Sequence, residues 1–71
     1  MSEVPARLSK GDSRSWEVVL DSITLADGEL LITDGDKTKV LKSDQTYHPK
    51  TADLSVYAID HSNFSVVRND G

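Results

Sequence analysis

Asp27-Gly28-Glu29-Leu30-Leu31-Ile32-Thr33-Asp34-Gly35 decides the reading of this chain. Two Asp-Gly dipeptides, seven residues apart, bracket a short apolar run. Asp-Gly supplies the positive-φ backbone that tight hairpin turns need, so the pair predicts a β-meander in the middle of the molecule. The run itself is strand-like. Leu30 and Ile32 share one face, and Leu31 makes the other face apolar as well.

Upstream, the period is two from Ser15. Trp16, Val18 and Leu20 alternate with Glu17, Val19 and Asp21. The parity then flips, with Ile23 and Leu25 as the apolar positions, which predicts a bulge or bend near Asp21-Ser22. Residues 1–13, where Pro5 and Gly11 interrupt the pattern, read as a flexible tail, and residues 14–71 as one small domain. Downstream, Lys37–Lys42 reads as a strand with Thr38 and Val40 alternating against the lysines, as suits an edge. Ser43–Ala52 is irregular, because His48-Pro49 disfavours helix. Asp53–Asp60 is a strand with Leu54, Val56 and Ala58 on one face and Tyr57 and Ile59 on the other. Phe64–Arg68 is the last strand, and Asn69-Asp70-Gly71 should fray. The expectation is all-β: five short strands curled into a small barrel, with an open antiparallel sheet completed by self-association as the alternative. No repeat and no low-complexity segment occurs.

Glu29-Leu30-Leu31-Ile32-Thr33-Asp34-Gly35-Asp36, followed by Lys39-Val40-Leu41, resembles the stretch after the RT loop of SH3 domains. Ile59-Asp60-His61-Ser62-Asn63-Phe64 is similar to the step before their last strand. The resemblance implies a five-stranded SH3-like barrel. It does not carry over proline-rich peptide binding, which needs a groove of aromatic residues. Val18-Val19-Leu20-Asp21-Ser22 stands where that family has its Ala-Leu-Tyr-Asp-Tyr motif. Tyr47 is the single aromatic where paired tryptophans are expected, and Asp60 replaces the groove proline. Phe64 alone matches an aromatic groove position.

Seventy-one residues with no cysteine exclude a disulfide framework and any thiolate chemistry. Small secreted domains usually rely on disulfides, so a cytoplasmic address is expected. Met1–Pro5 does not read as a signal peptide, and no stretch is apolar enough to cross a membrane. The net charge of −4 argues against wide phosphate-backbone contact. The charge is uneven: residues 15–36 hold six acids and no base, while residues 37–50 hold four lysines against Asp44.

No catalytic constellation, cofactor motif or metal-ligand spacing is present. His48 and His61 have no partner histidine at ligand spacing. Asp34-Gly35-Asp36 lacks the rest of a calcium loop. None of the serines sits in a nucleophile-elbow context. The chain therefore reads as non-enzymatic and cofactor-free.

If even-numbered residues line the core, Val19, Leu31, Tyr57, Ile59 and Val67 form an outer apolar set. With Trp16 (either a core anchor or an exposed hot spot) and the acids Asp27 and Glu29, they are the candidate protein-binding residues. The primary expectation is a protein–protein interaction module, by analogy a small regulator or inhibitor of the phage or mobile-element kind. The alternatives are a nucleic-acid-binding barrel using Lys37, Lys39, Lys42 and Lys50 with Tyr47 for stacking, and a structural subunit of a homo-oligomer.

Overall fold

The computed structural model describes residues 3–68. The fray expected at Asn69-Asp70-Gly71 lies outside that range, as do the first two residues of the expected tail. Among the described residues eight strands form: β1 (Glu3–Leu8), β2 (Ser13–Trp16), β3 (Leu20–Asp27), β4 (Glu29–Asp34), β5 (Lys37–Lys42), β6 (Thr46–Tyr47), β7 (Leu54–Ala58) and β8 (Ser62–Arg68). They build two four-stranded sheets, in the orders β1-β8-β3-β6 and β2-β7-β4-β5. All strand pairs are antiparallel. The all-β class expected from sequence is what forms, but as two open four-stranded sheets with eight strands, not five strands closed into a barrel.

Three departures account for the difference in strand count. Glu3–Leu8, expected to be tail, pairs residue for residue with β8. Val4, Ala6 and Leu8 alternate with Glu3, Pro5 and Arg7, and Ala6 and Leu8 pack on the core. Pro5 is tolerated because β1 is an edge strand, where a missing N–H breaks no ladder on the outer side. Secondly, the stretch from Ser15 onward is two strands in different sheets, β2 against β7 and β3 against β8. Thirdly, the irregular 43–52 stretch contains β6, which joins β3 at Ile23↔Tyr47 and Thr24↔Thr46. The predicted irregularity near Asp21-Ser22 is present as a register shift between Leu20 and Ser22.

The meander is also replaced. Of the seven connections, only β4–β5 stays within one sheet; every other one crosses to the opposite sheet. Asp34-Gly35 is a true hairpin. Asp34 faces Lys37 across a two-residue loop, and Gly35 has φ 65°. Asp27-Gly28 is instead a corner between sheets, with Gly28 at φ 104°.

The core lies between the sheets. Leu20, Ile23, Leu25, Phe64 and Val66 come from one, and Leu30, Ile32, Leu41, Leu54, Val56 and Ala58 from the other. All are essentially removed from water. At about 0.8 kcal/mol per buried methylene this is the main favourable term of folding. Trp16 is half-buried against this core, edge-on to Phe64 with ring centroids 6.4 Å apart and planes at 83°.

Candidate functional site

The most polar buried place among the described residues is Asp34, the last residue of β4. Its side chain is 3% exposed. Oδ2 accepts from the Tyr47 hydroxyl at 2.7 Å and the Lys50 N–H at 2.9 Å; Oδ1 accepts from the Thr51 N–H at 3.1 Å and the Thr51 hydroxyl at 2.7 Å. Burial alone raises the pKa of this carboxyl. The donors from Lys50, Thr51 and Tyr47 outweigh that and hold it at about 2. The hydrogen bond to Asp34, helped by burial, raises the Tyr47 phenol above its ordinary value. Both Asp34 oxygens are occupied by the protein, so this carboxylate fastens the 47–51 segment to the β4–β5 hairpin and is not free to act as a base.

Around that anchor the lysines take positions that sequence periodicity does not disclose. In β5 it is Leu41 that is buried, and Lys37 and Lys39 share its side of the strand, while Thr38, Val40 and Lys42 occupy the other. Lys37 and Lys39 stay exposed although they share the side of the buried Leu41. Lys50 joins this end of the sheet through its backbone bond to Asp34. Tyr47 does not join them as a stacking platform. Its ring is packed on the core and its hydroxyl is committed to Asp34, which corrects the role expected for it.

The outer apolar set is divided by the fold. Leu31 pairs with Val40 on one side and Tyr57 on the other, so these three form a row across β5, β4 and β7. Ile59 continues the Tyr57 side just beyond β7, where its N–H donates to the Glu29 carbonyl at 3.1 Å. Tyr57 is 46% and Val40 41% exposed. Glu29, opposite Lys42, borders this patch. Val40 is the member that the sequence reading missed, because assigning even-numbered residues to the core puts it inside, whereas in β5 it is Leu41 that is buried. Val67 lies in the other sheet, Val19 is exposed on the β2–β3 crossing, and Asp27 is exposed at the corner. Trp16 faces inward. These four do not belong to the patch, which corrects the expectation of a single apolar face.

A concave region opens between the sheets at their β1/β2 end. Val4, Trp16, Val18 and Val66 give this cleft of about 380 Å³ an apolar lining; Arg14 and Arg68 stand at it with Glu17. The Arg14 guanidinium lies 5.2 Å from the Trp16 ring centroid, a cation–π distance. An apolar group carrying negative charge suits such a lining. His48 and His61 are exposed, and no three of His, Asp and Glu gather at metal-binding distance among the described residues. Among the described residues no helix is long and apolar enough to cross a membrane.

No protein-family model matches the chain, and no curated protein matches it. Solved structures do. A conserved protein of unknown function from Streptococcus pyogenes, SPY1581, superposes with a TM-score of 0.81 at 20% identity, over 97% of this chain and 65% of its own. A cupin-2 domain containing protein from Shewanella frigidimarina gives 0.68 at 14% identity, over 90% of this chain and 65% of its own. Oxidized CprK, solved in complex with o-chlorophenolacetic acid, gives 0.62 at 13% identity, over 92% of this chain and 32% of its own. The chain thus shares its two-sheet fold with these structures, and it spans less than two thirds of each of these proteins.

Proposed function

We propose that this chain is a non-catalytic interaction module that binds a partner protein on the outer face of the β2-β7-β4-β5 sheet. The Val40–Leu31–Tyr57 row carries this reading. Side chains of this size, contiguous across three strands and bordered by one acid and one base, form the anchor-and-rim arrangement of protein interfaces. A module of this kind acts by occupying its partner's surface, as a small regulator or inhibitor does. A chain without cysteine serves that role in a reducing compartment such as the cytoplasm.

The test is quantitative capture from lysate of the source organism, nuclease-treated, with the natural chain and with Tyr57→Glu. Tyr57 is solvent-facing, so the variant should keep its circular dichroism spectrum and melting temperature. Loss of a stoichiometric protein partner by roughly tenfold or more supports the interaction face. Partners that vanish with nuclease point to the lysines instead. Recovery of the chain alone, with concentration-dependent size, points to self-assembly. A partner retained undiminished by Tyr57→Glu overturns the proposed face.

A further inference from the structure

We propose that the free edge of β5 takes up an extended peptide of alternating acidic and apolar residues as an additional strand. The inference deepens the interaction reading above and rests on it, because it names the chemistry of the partner segment that lies beside the Val40 row.

The backbone supplies the first argument. Asp34 and Lys37 close a two-residue hairpin, so the N–H and C=O groups of Lys37, Lys39 and Leu41 face β4. Those of Thr38, Val40 and Lys42 face outward. Lys42 confirms the direction: its N–H donates to the Gln45 Oε1 at 2.9 Å, and its carbonyl accepts from the Gln45 N–H at 3.1 Å. Gln45 thereby ends the exposed edge. Thr38 and Val40 are left with outward N–H and C=O groups that meet no partner among the described residues. The other three edges are poorer templates. β1 contains Pro5, β2 has four residues and β6 has two.

Charge selects the occupant. An added strand alternates its side chains on the two faces of the sheet. On one face they would stand beside Lys37 and Lys39, with Lys50 close by. The nearest buried acid, Asp34, is already committed to its own donors. On the other face they would stand beside Val40 and lengthen the Val40–Leu31–Tyr57 row by one strand. Acids toward the lysines and apolar residues toward Val40 satisfy both. A second copy of β5 would set lysine against lysine, so the edge lysines that prevent self-pairing are the same ones that favour an acidic strand.

The experiment titrates the ¹⁵N-labelled chain with a seven-residue peptide alternating glutamate and valine. It is compared with the same peptide N-methylated along one edge, a lysine–valine counterpart, and a short oligo-dT. The expected result is a saturable response at the Thr38 and Val40 amides with the glutamate–valine peptide only. Thr38→Pro removes one outward donor without touching the β4 ladder or the apolar row, and Lys37→Glu/Lys39→Glu reverses the charge; each should weaken binding by roughly tenfold. No response up to about 1 mM peptide, equal binding of the N-methylated peptide, or a response to oligo-dT in place of the peptide would overturn the proposal. If Tyr57→Glu abolishes partner capture while Thr38→Pro and the charge reversal leave it intact, the interaction face stands and the edge proposal falls.

Discussion

Asp27-Gly28 and Asp34-Gly35 are the same dipeptide, and the fold uses them in opposite ways. At the corner between β3 and β4 the glycine is the indispensable member. The β3–β4 and β7–β8 connections interlock there. Glu29 N–H donates to the Ser62 hydroxyl at 3.2 Å, and that buried hydroxyl lies 3.1 Å from the Glu29 carbonyl and 2.8 Å from that of Asp60. A side chain at Gly28 would run into the His61–Ser62 backbone. At the β4–β5 hairpin the aspartate is the indispensable member, because its carboxylate holds the 47–51 segment. Asp27, by contrast, is exposed. Identical turn chemistry is a statement about backbone angle only; what surrounds the turn decides which residue matters.

Gly28→Ala carries the largest expected effect. A Cβ at this position would lie 2.1 Å from the His61 carbonyl oxygen and 2.8 Å from the Ser62 Cα, both backbone atoms that cannot swing aside. The φ of 104° adds strain for any L side chain. The corner and the Ser62 lock must separate, at a cost of roughly 3 kcal/mol or more. A domain of this size has a stability on the order of 4–10 kcal/mol, so the variant should melt far below the natural chain or fail to fold. Urea unfolding followed by Trp16 fluorescence measures it. A loss under about 1 kcal/mol would mean the two connections are not interlocked.

Asp34→Asn comes next. An amide keeps one acceptor but sets an NH₂ against donors, so at least one of Tyr47, Lys50 and Thr51 loses its partner, at about 2 kcal/mol. The natural chain should also show a characteristic acid profile. The carboxyl sits at about 2 in the folded chain against an ordinary 3.8. Its folded-state pKa is depressed, so its contribution is complete above pH 3.8 and is lost as the pH falls toward 2. Asp34→Asn should lack that part of the acid loss, and the two stability curves should converge as the pH drops. Parallel curves would show that Asp34 is not held ionised by its donors.

The contrast between the dipeptides also shows how far the sequence can be read. Period-two alternation gives inside from outside: Leu30 and Ile32, Leu54, Val56 and Ala58, Phe64 and Val66 are all core residues as the pattern implies. It cannot say in which sheet a strand lies, because both sheets turn the same kind of face toward the same core. Hence β3 and β4 look like consecutive strands of a meander and are in fact on opposite sides of the molecule. The shift between Leu20 and Ser22 was legible because a bulge flips parity. β1 was not, since Pro5 suggests a break until its edge position is known. The patch was half legible. Leu31, Tyr57 and Ile59 follow from alternation, but that Val40 joins them and Val67 does not depends on pairing across strands, which no local pattern encodes.

The smallest effects belong to the other halves of the two dipeptides, and they sharpen the comparison most. At Gly35 the three atoms nearest an added Cβ all belong to the Thr51 side chain, its methyl at 3.4 Å, its hydroxyl at 3.6 Å and its Cβ at 4.0 Å, which are ordinary contacts, so Gly35→Ala should cost only the strain of φ 65°, about 1–2 kcal/mol. Asp27→Ala removes an exposed carboxylate and should fall within about 0.5 kcal/mol of the natural chain. The four values then form a crossed pattern: glycine over aspartate at the corner, aspartate at or above glycine at the hairpin. Unfolding free energies of the four single variants decide it. If Asp27→Ala proved as costly as Asp34→Asn, the acid would be part of the turn itself at both sites. The difference between corner and hairpin would then lie in the glycines alone, and the fastening of the 47–51 segment by Asp34 would contribute nothing that an ordinary turn residue does not.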